Sequence, residues 1–454
     1  MIAELAEALR HKETTCTGLV RKTLAAIEEQ QPRLNAFVTV MADSALQRAS
    51  ELDRELAAGR DRGPLHGIPV ALKDLIHVKG VRTTAGSLIY KDYVATGTAE
   101  VAVRLEQAGA IIVGKTGLHE LAYGITSNNP HFGAVRNPRD TTRIPGGSSG
   151  GSGAAVVAGI VPMALGTDTG GSIRIPASFC GCVGLKPTFG RVSKRGVFPL
   201  GFSLDHIGPL AATVDDAAIT LNVTAGHDPR DATTSTRPVE DYRPGPPAGL
   251  EGVRIGRPAN FYFERLAPAV AVGVRRAFEI AQDVGATVVP IPLPDVEQWN
   301  AAARVVLLAE ASAAVEPHLS RRELFSAEAL ALFDQGRVLP ATMYVQAQRL
   351  RARFVDSLRT LWRQVDCLVT PATPTTAPLI GATTIDVGGT SEDVRLATTR
   401  FARAINLLGL PALSLPCGTD SLGLPVGLQI VAPAFSERSL LHIGAALESP
   451  LRNG

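Results

Sequence analysis

Two glycine- and serine-rich segments carry residues that could perform acyl-transfer chemistry. The first, PGGSSGGSGAAVVAG at 145–159, runs directly into an apolar stretch, which a flexible tether would not need. The second, GTDTGGSIRIP at 166–176, places Ser172 after two glycines, so its backbone can approach a ligand closely. Consecutive amide N–H groups in such a turn can bind an anion, as a tetrahedral oxyanion requires. Alone, this second segment is more typical of an ordinary tight turn.

A nucleophilic serine needs a base, and no histidine lies within either segment. Lys73 ends the apolar run GIPVALK at 67–73. Burial would destabilise its charged form and lower its pKa below the usual value of about 10.4, so that a neutral amine could accept a proton. Taken alone, Lys73 is more typical of a lysine that extends from a strand end to solvent.

The glycine-rich run also matches the GxSxG nucleophile elbow of α/β-hydrolases, at 146–150 and again at 147–151. The elbow requires a buried strand immediately before it, whereas the preceding RDTTRIPGG is charged and interrupted by proline. Asp205 and His206 are adjacent in sequence, which does not suit two successive members of one relay. The elbow is therefore disfavoured.

Metal and nucleotide sites lack their usual spacings. The nine histidines include no HxxxH pair, and Cys180 and Cys182 are too close for a CxxC clamp. The glycine-rich run has no GK[ST] ending, and no GxGxxG follows a strand at the start of a helix. We therefore expect neither a metal nor a cofactor.

Composition indicates an ordinary globular protein, with 454 residues, 45% of them hydrophobic and 19% charged. A net charge of +2 without a long Lys/Arg run argues against a nucleic-acid surface. The N-terminal residues MIAELAEALRHKETT do not resemble a signal peptide, and no window approaches the roughly 18 apolar residues of a membrane span. Five scattered cysteines indicate a reducing compartment, so we expect a cytoplasmic protein.

The order of the predicted elements indicates an α/β fold. Helical spacing dominates up to about residue 59, and short apolar runs at 68–72, 110–113 and 163–165 are typical of buried strands. Later strands are expected in GVRIGRP, GATVVPI, VDCLVTP and LPVGLQIV, with a helix at about 269–284. Helices that alternate with short buried strands predict a sheet covered on both faces.

Three segments together resemble the hallmark sequence of the amidase signature family in order and spacing: GIPVALKD, PGGSSGGSGAAVVAG and GTDTGGSIRIPASFCGCVGLKPT. The likeness continues through ELAYGITSNNPHFGAVRNPRD, LVTPATPTTAP, INLLGLPALSLPCG and GLPVGLQIVAP. The resemblance implies one large α/β domain with a mixed, mostly parallel central sheet surrounded by helices. Within this single domain, 1–454, we expect a helical N-terminal region (about 1–60), a signature core (about 61–225), a surface insertion (about 228–252) and a C-terminal region of sheet and helices (about 253–454).

The resemblance also implies which residues form the site. Ser172 matches the family's nucleophile, Ser148 its bridging serine after a cis peptide bond from Gly147, and Lys73 its base. The other implied positions are Thr169, Gly170, Gly171 and Ser172 for the oxyanion hole, Ala122, Tyr123, Gly124 and Ile125 for the substrate pocket, and Ser149, Asp168 and Arg174 for hydrogen-bonded support of the loop.

These residues predict a hydrolase that cleaves a linear, non-peptide carboxylic amide through an acyl-enzyme on Ser172. Aryl esters or carbamates would suit the same chemistry, because each presents a carbonyl group and a departing heteroatom. The four implied pocket residues carry no charge, so we expect an uncharged amide.

Two alternatives stay open. One is the catalytic A-type subunit of a tRNA-dependent glutamine amidotransferase, for which Arg351 matches a carboxylate-binding arginine; however, Thr399 stands about where that branch has an aspartate for the glutamine amino group. The other is a catalytically inactive binding subunit on the same fold. The expected partner is a small-molecule amide, without nucleic acid or membrane, and a homodimer is left open.

Overall fold

The computed structural model describes residues 1–245 and 249–453, and a large mixed β-sheet runs through its centre. Eleven of the described strands form this sheet, in the order β1-β3-β2-β6-β8-β7-β14-β15-β11-β9-β10, while β4 pairs with β5 and β12 with β13. The strands are β1 (Phe37–Val40), β2 (Pro69–Lys73), β3 (Ile111–Thr116), β4 (Asn128–Asn129), β5 (Gly133–Ala134), β6 (Met163–Asp168), β7 (Val183–Lys186), β8 (His206–Ala211), β9 (Arg254–Pro258), β10 (Thr287–Ile291), β11 (Cys367–Pro371), β12 (Thr384–Val387), β13 (Thr390–Asp393), β14 (Ala412–Thr419) and β15 (Pro425–Val431).

Parallel pairing occurs in two groups of three strands. β3, β2 and β6 form one group, and β11, β9 and β10 form the other. The other six neighbouring pairs of described strands in the sheet are antiparallel. The predicted mixed sheet is therefore confirmed, and its parallel character lies in these two groups.

Helices surround the sheet, as predicted. They are α1 (Ile2–Arg10), α2 (Cys16–Leu34), α3 (Ala42–Ala57), α4 (Glu100–Gln107), α5 (Gly150–Val157), α6 (Arg174–Cys180), α7 (Val214–Thr224), α8 (Pro268–Asp283), α9 (Val296–Val315), α10 (Ala327–Arg337), α11 (Ala341–Gln364), α12 (Val394–Thr399), α13 (Arg403–Leu407) and α14 (Glu437–Asn453). Short 3-10 helices lie at Leu88–Tyr90, Glu120–Ala122 and Glu316–Leu324. Across the described residues, no helix is both long enough and apolar enough to span a membrane.

The central strands are covered on both faces. Every residue of β2, β3, β6 and β8 is buried, which explains why the predicted runs within β2, β3 and β6 are continuously apolar instead of alternating. The runs predicted at 68–72, 110–113 and 163–165 are confirmed as β2, β3 and β6, and the helix predicted at about 269–284 is α8.

The N-terminal region contains a strand that the helical prediction missed. β1 lies between α2 and α3 and pairs antiparallel with β3 at the edge of the sheet. Its four residues, FVTV, are too few for a period-two pattern to be distinguished from the neighbouring helices.

The predicted surface insertion at about 228–252 is only partly described, because residues 246–248 lie outside the described residues. Most described side chains from 229 to 245 are exposed or half-buried. Arg191 nevertheless anchors this segment by donating hydrogen bonds to Arg237 O at 2.9 Å and Pro238 O at 2.6 Å. The boundaries of the four predicted regions stay predictions.

Candidate active site

The ends of β2 and β6 bring the predicted base to the predicted bridging serine. The strands are parallel neighbours with Leu72 beside Leu165, so Lys73 ends one strand beside the last residues of the other. Lys73 is fully buried, and its Nζ donates hydrogen bonds to Ser148 Oγ at 2.7 Å and to Thr167 Oγ1 at 2.8 Å. Lys73 is therefore not a strand-end lysine that extends to solvent.

Burial lowers the pKa of the Lys73 ammonium to about 7, although the carboxylates of Asp168 and Asp205 act in the opposite direction. A substantial fraction of this side chain is therefore the neutral amine at neutral pH. A neutral amine 2.7 Å from a serine hydroxyl can accept its proton.

The loop before α5 holds Ser148 through its backbone. The Gly147–Ser148 peptide bond is cis, as the family resemblance predicts. The N–H of His119 donates to Ser148 O at 3.2 Å, and Ser127 Oγ donates to Gly146 O at 2.9 Å. A Cβ atom at residue 147 would lie 2.8 Å from Ser127 Oγ. The glycines of this run therefore permit close packing around Ser148.

Ser172 lies on the turn after β6, and hydrogen bonds join this turn to the Ser148 loop. The N–H of Ser149 donates to Ser172 O at 3.2 Å. Ser149 Oγ donates to Thr167 O at 3.1 Å and accepts from the Thr167 N–H at 3.2 Å. Ser149 therefore ties both serine-bearing loops to β6.

Asp168, the last residue of β6, holds the turn through a fully buried ion pair. Its carboxylate accepts from the N–H groups of Gly171 at 2.8 Å and Ile173 at 3.1 Å, and it pairs with two nitrogens of Arg174 at 2.9 and 3.0 Å. Burial alone would raise the pKa of the Asp168 carboxyl, but the Arg174 guanidinium holds it well below its usual range. This geometry suits the supporting roles predicted for Asp168 and Arg174.

Two amide side chains complete this network, and sequence reasoning missed both. Asn406 Nδ2 donates to Asp168 Oδ1 at 2.9 Å, while Arg174 donates to Asn406 Oδ1 at 2.6 Å and to Gln429 Oε1 at 2.5 Å. Both residues lie in segments that carry the family resemblance, INLLGLP and GLPVGLQIV. The signal available in the sequence was a single amide side chain, Asn406 or Gln429, within each of these apolar segments.

One amide group of the predicted oxyanion turn already donates a hydrogen bond within the protein. The Gly171 N–H donates to Asp168 Oδ1, so the predicted oxyanion hole depends on the amides of Thr169, Gly170 and Ser172. These three residues border a cavity, and the Thr169 hydroxyl donates to Asp205 Oδ1 at 2.6 Å, which holds the turn in place.

The four predicted pocket residues form part of the wall of that cavity: Ala122, Tyr123, Gly124 and Ile125. Leu121 and Ala122 both have left-handed backbone angles, with φ of +50° and +59°, which turn the chain sharply here. A Cβ atom at residue 124 would lie 2.1 Å from His119 Nε2, so the wall requires glycine at this position.

The same cavity is positively charged, although the four implied pocket residues themselves carry no charge. Arg304 of α9, Arg395 of α12 and Arg403 of α13 line it together with Ser172. Much of the remaining wall is aliphatic, formed by Leu200, Leu307, Leu308, Leu332 and Leu396. The three arginines lie far from the serine-bearing motifs in sequence, so motif spacing could not place them in one cavity.

The two residues considered for glutamine recognition lie in different places. Thr399 lines the cavity, and its hydroxyl oxygen accepts a hydrogen bond from the Arg403 guanidinium. Arg351 donates to Ser203 O at 3.0 Å and to Ser203 Oγ at 3.1 Å, and it is not among the described residues that line the cavity.

A second cavity, of about 300 Å³, shares Ala122, Thr169 and Leu200 with the first. Its wall includes Thr167, the hydroxyl that accepts from Lys73, and residues 230–233 of the exposed segment. Ser172 therefore borders one cavity, and Thr167, a hydrogen-bond partner of Lys73, borders the other.

Sequence comparisons find relatives over nearly the whole chain. A family profile described as Amidase matches residues 18–441. The A subunit of the glutamyl-tRNA(Gln) amidotransferase of Nitratidesulfovibrio vulgaris (strain DP4) is 42% identical, in a match that covers 99% of this chain and 96% of that protein.

Two solved structures are similar over the same extent. One is a chain of a protein complex that is described as vestigial and as revealing the evolutionary origins of an s-triazine catabolic enzyme. It matches this chain with a TM-score of 0.94 and 37% identity, and the match covers 98% of both chains. The native peptide amidase of Stenotrophomonas maltophilia has a TM-score of 0.86 and 34% identity, with 99% of this chain and 96% of that chain covered. These matches confirm the predicted fold.

The prediction that nucleic acid plays no part is wrong, because the curated relatives are named for glutamyl-tRNA(Gln). The prediction was drawn from a net charge of +2 and the lack of a long basic run. Those relatives are also named as one subunit of their enzyme. The charge of one chain does not decide whether an assembly contacts nucleic acid, because other subunits can supply the basic surface.

Proposed function

Because this chain belongs to the amidase signature family, we propose that it hydrolyses the carbon–nitrogen bond of a linear carboxylic amide through an acyl-enzyme on Ser172. The observation that carries the proposal is the 2.7 Å hydrogen bond between the buried amine of Lys73 and Ser148 Oγ. Ser172 lies on the adjoining turn, tied through Ser149 to the same loop, and borders a cavity that could hold the acyl group.

In the proposed reaction, the neutral Lys73 amine accepts a proton from Ser148 while Ser148 accepts one from Ser172, and Ser172 Oγ forms a bond to the amide carbonyl carbon. Amide N–H groups of the turn bind the oxyanion. Reversal of the relay protonates the nitrogen, the C–N bond breaks and the amine leaves. Water, activated by the same relay, hydrolyses the ester on Ser172, so that amide and water yield carboxylate and amine.

Removal of the nucleophile tests this proposal. Ser172→Ala should reduce amine or ammonia release by about 10³-fold or more and abolish covalent labelling by a fluorophosphonate. Ser357→Ala, on the exposed side of α11, is a matched control that should keep both properties. Labelling that persists in Ser172→Ala would overturn the assignment of the nucleophile.

A second candidate function is glutamine hydrolysis as the A subunit of a glutamyl-tRNA(Gln) amidotransferase. The names of the curated relatives support it more directly than they support an independent amidase. The lining of the cavity argues against glutamine as the substrate. Thr399 occupies the expected aspartate position, and three arginines are present. The described wall contains no Asp or Glu that could pair with the ammonium group of glutamine.

Ammonia release from glutamine, measured beside a panel of amides without an amino group, separates the two candidates. We expect glutamine to be the poorer substrate for the wild-type chain. If glutamine were hydrolysed in preference to every other amide, the second candidate would replace the first.

A further inference from the structure

Three guanidinium groups converge on the cavity that holds Ser172. Arg304 comes from α9, Arg395 from α12 and Arg403 from the first position of α13, so three separate helices each contribute one cation. The leucines that form much of the remaining wall offer no acceptor side chain. The cavity is small, about 60 Å³ against about 300 Å³ for its neighbour, which suits a short ligand.

These cations have no counter-ion among the residues that the structure describes. Arg403 donates to the Thr399 hydroxyl and Arg304 donates to Gln335 Oε1 at 3.3 Å, but in the described ranges 1–245 and 249–453 no carboxylate lies within 4 Å of any of the three guanidinium groups.

Two buried arginines elsewhere in the chain have carboxylate partners, whereas the buried Arg191 is held by backbone carbonyl groups and the Tyr242 hydroxyl. The fully buried Arg174 pairs with Asp168, and the nearly buried Arg400 pairs with Glu392. Arg304, Arg395 and Arg403 differ from both arrangements, because among the described residues they pair with neither a carboxylate nor a backbone carbonyl group.

The arrangement is unfavourable without a ligand. Burial, together with the nearby Arg304, lowers the pKa of Arg403 to about 10, so this guanidinium group keeps its charge at neutral pH. An anion in the cavity would offset both the mutual repulsion and the lost hydration. The planar fork of a guanidinium group suits a carboxylate in particular, because it can donate two parallel hydrogen bonds.

We propose that the substrates are amides whose acyl group carries a second, ionised carboxylate, that is, monoamides of short dicarboxylic acids. This inference rests on the hydrolase function proposed above. The carboxylate binds to the guanidinium groups of Arg304, Arg395 and Arg403 while the amide carbonyl lies at Ser172. Attack by Ser172 Oγ releases ammonia, and water then hydrolyses the ester to give the dicarboxylate. Glutamine carries an ammonium group in addition, which the arginines repel.

The test compares each monoamide with the neutral diamide of the same length, from malonamate to adipamate. For at least one length, the kcat/KM of the monoamide should exceed that of the diamide by about tenfold or more. Arg395→Gln should remove most of this preference by raising KM for the monoamide more than KM for the diamide. Arg353→Gln, on the exposed side of α11, is the matched control and should keep the preference.

Binding of the corresponding dicarboxylate to Ser172→Ala, measured by calorimetry, supplies a readout without turnover. Addition of Arg395→Gln should weaken this binding by about tenfold or more. Equal kcat/KM for monoamides and diamides would overturn the substrate class and leave the hydrolase function standing. If no amide were hydrolysed and no fluorophosphonate label formed, the hydrolase function would fail instead. Binding of the dicarboxylate to Ser172→Ala would then test the arginine site separately. Binding that depends on Arg395 would support the site, and a lack of binding to the Ser172→Ala chain would overturn it.

Discussion

Lys73 occupies the end of a strand in which all five residues are buried, with Ser148 and Thr167 as its hydrogen-bond partners. An ammonium ion at this position loses its hydration, and two hydroxyl groups replace only part of it. The pKa near 7 follows from that loss. Arg174, equally buried, differs in having a direct ion-pair partner, the carboxylate of Asp168. The different partners of these two cations therefore separate a candidate base from a structural ion pair.

Amide hydrolysis should depend on the charge of Lys73. Because the neutral amine is the base, we expect kcat to rise as pH increases through about 7 and to level off above that value. Lys73→Ala should reduce kcat by about 10²–10⁴-fold and remove this rise, whereas Lys79→Ala, at an exposed position, should leave the profile unchanged. A wild-type profile that rises only near pH 10 would contradict the assignment.

At the scale of elements, α5 approaches the loop after β3 closely because its first turn carries almost no side chain. The Gly151 N–H donates to Gly117 O at 3.0 Å. A Cβ atom at residue 151 would lie 2.5 Å from both Ala36 O and Gly117 N, which are backbone atoms that cannot rotate away. The glycine-rich run therefore forms the closely packed start of a helix, and Ser148 lies two residues before that helix begins.

Gly151→Ala should lower the free energy of unfolding by about 1–3 kcal/mol, measured by urea denaturation, because the added methyl group has no space. The direction of this change in the free energy of unfolding is informative, because alanine is otherwise favoured over glycine within a helix by about 1 kcal/mol. Gly97→Ala is the control, because a Cβ atom there would meet nothing within 4 Å. A stabilised Gly151→Ala protein would show that α5 can shift.

Across the whole molecule, the fold keeps several histidines neutral. Burial lowers the pKa of the imidazoles of His119 and His206, and lowers that of His77 to about 4. The three residues lie beside the 3-10 helix at Glu120–Ala122, in β8 and after β2, so their protonation is coupled to folding in separate parts of the structure. Stability should therefore depend on pH well above the range of the carboxylates.

In the unfolded chain these imidazoles take up protons as the pH falls through about 6.5, whereas in the folded chain they stay neutral to lower pH. The unfolded state then binds more protons, so stability that is present above pH 6.5 should be lost as pH falls below 6.5, by at most about 1.4 kcal/mol per pH unit for each histidine that stays neutral in the folded chain. Urea midpoints between pH 8 and pH 5 measure this slope. His206→Asn should reduce it and the exposed His11→Asn should not; a flat wild-type profile would contradict the expectation.

The local sequence predicted the parts of the fold in which burial is uniform. β2, β3 and β6 could be located because strands covered on both faces read as unbroken apolar runs. β1 was missed because four residues are too few to show a period. The cis bond before Ser148 followed only from the family resemblance, since glycine and serine by themselves equally suit a linker or a tight turn.

The sequence by itself determined the family, the α/β class and the three residues proposed for catalysis, because these depend on short motifs whose residues are held together by adjacent backbone. Only the tertiary structure decided that Lys73 is fully buried against Ser148, that Asn406 and Gln429 complete the Asp168–Arg174 network, and that three arginines share the cavity of Ser172. The physical reason is that desolvation and charge in a cavity are properties of all the elements around it. Arg304, Arg395 and Arg403 come from three helices that the chain brings together only when it folds.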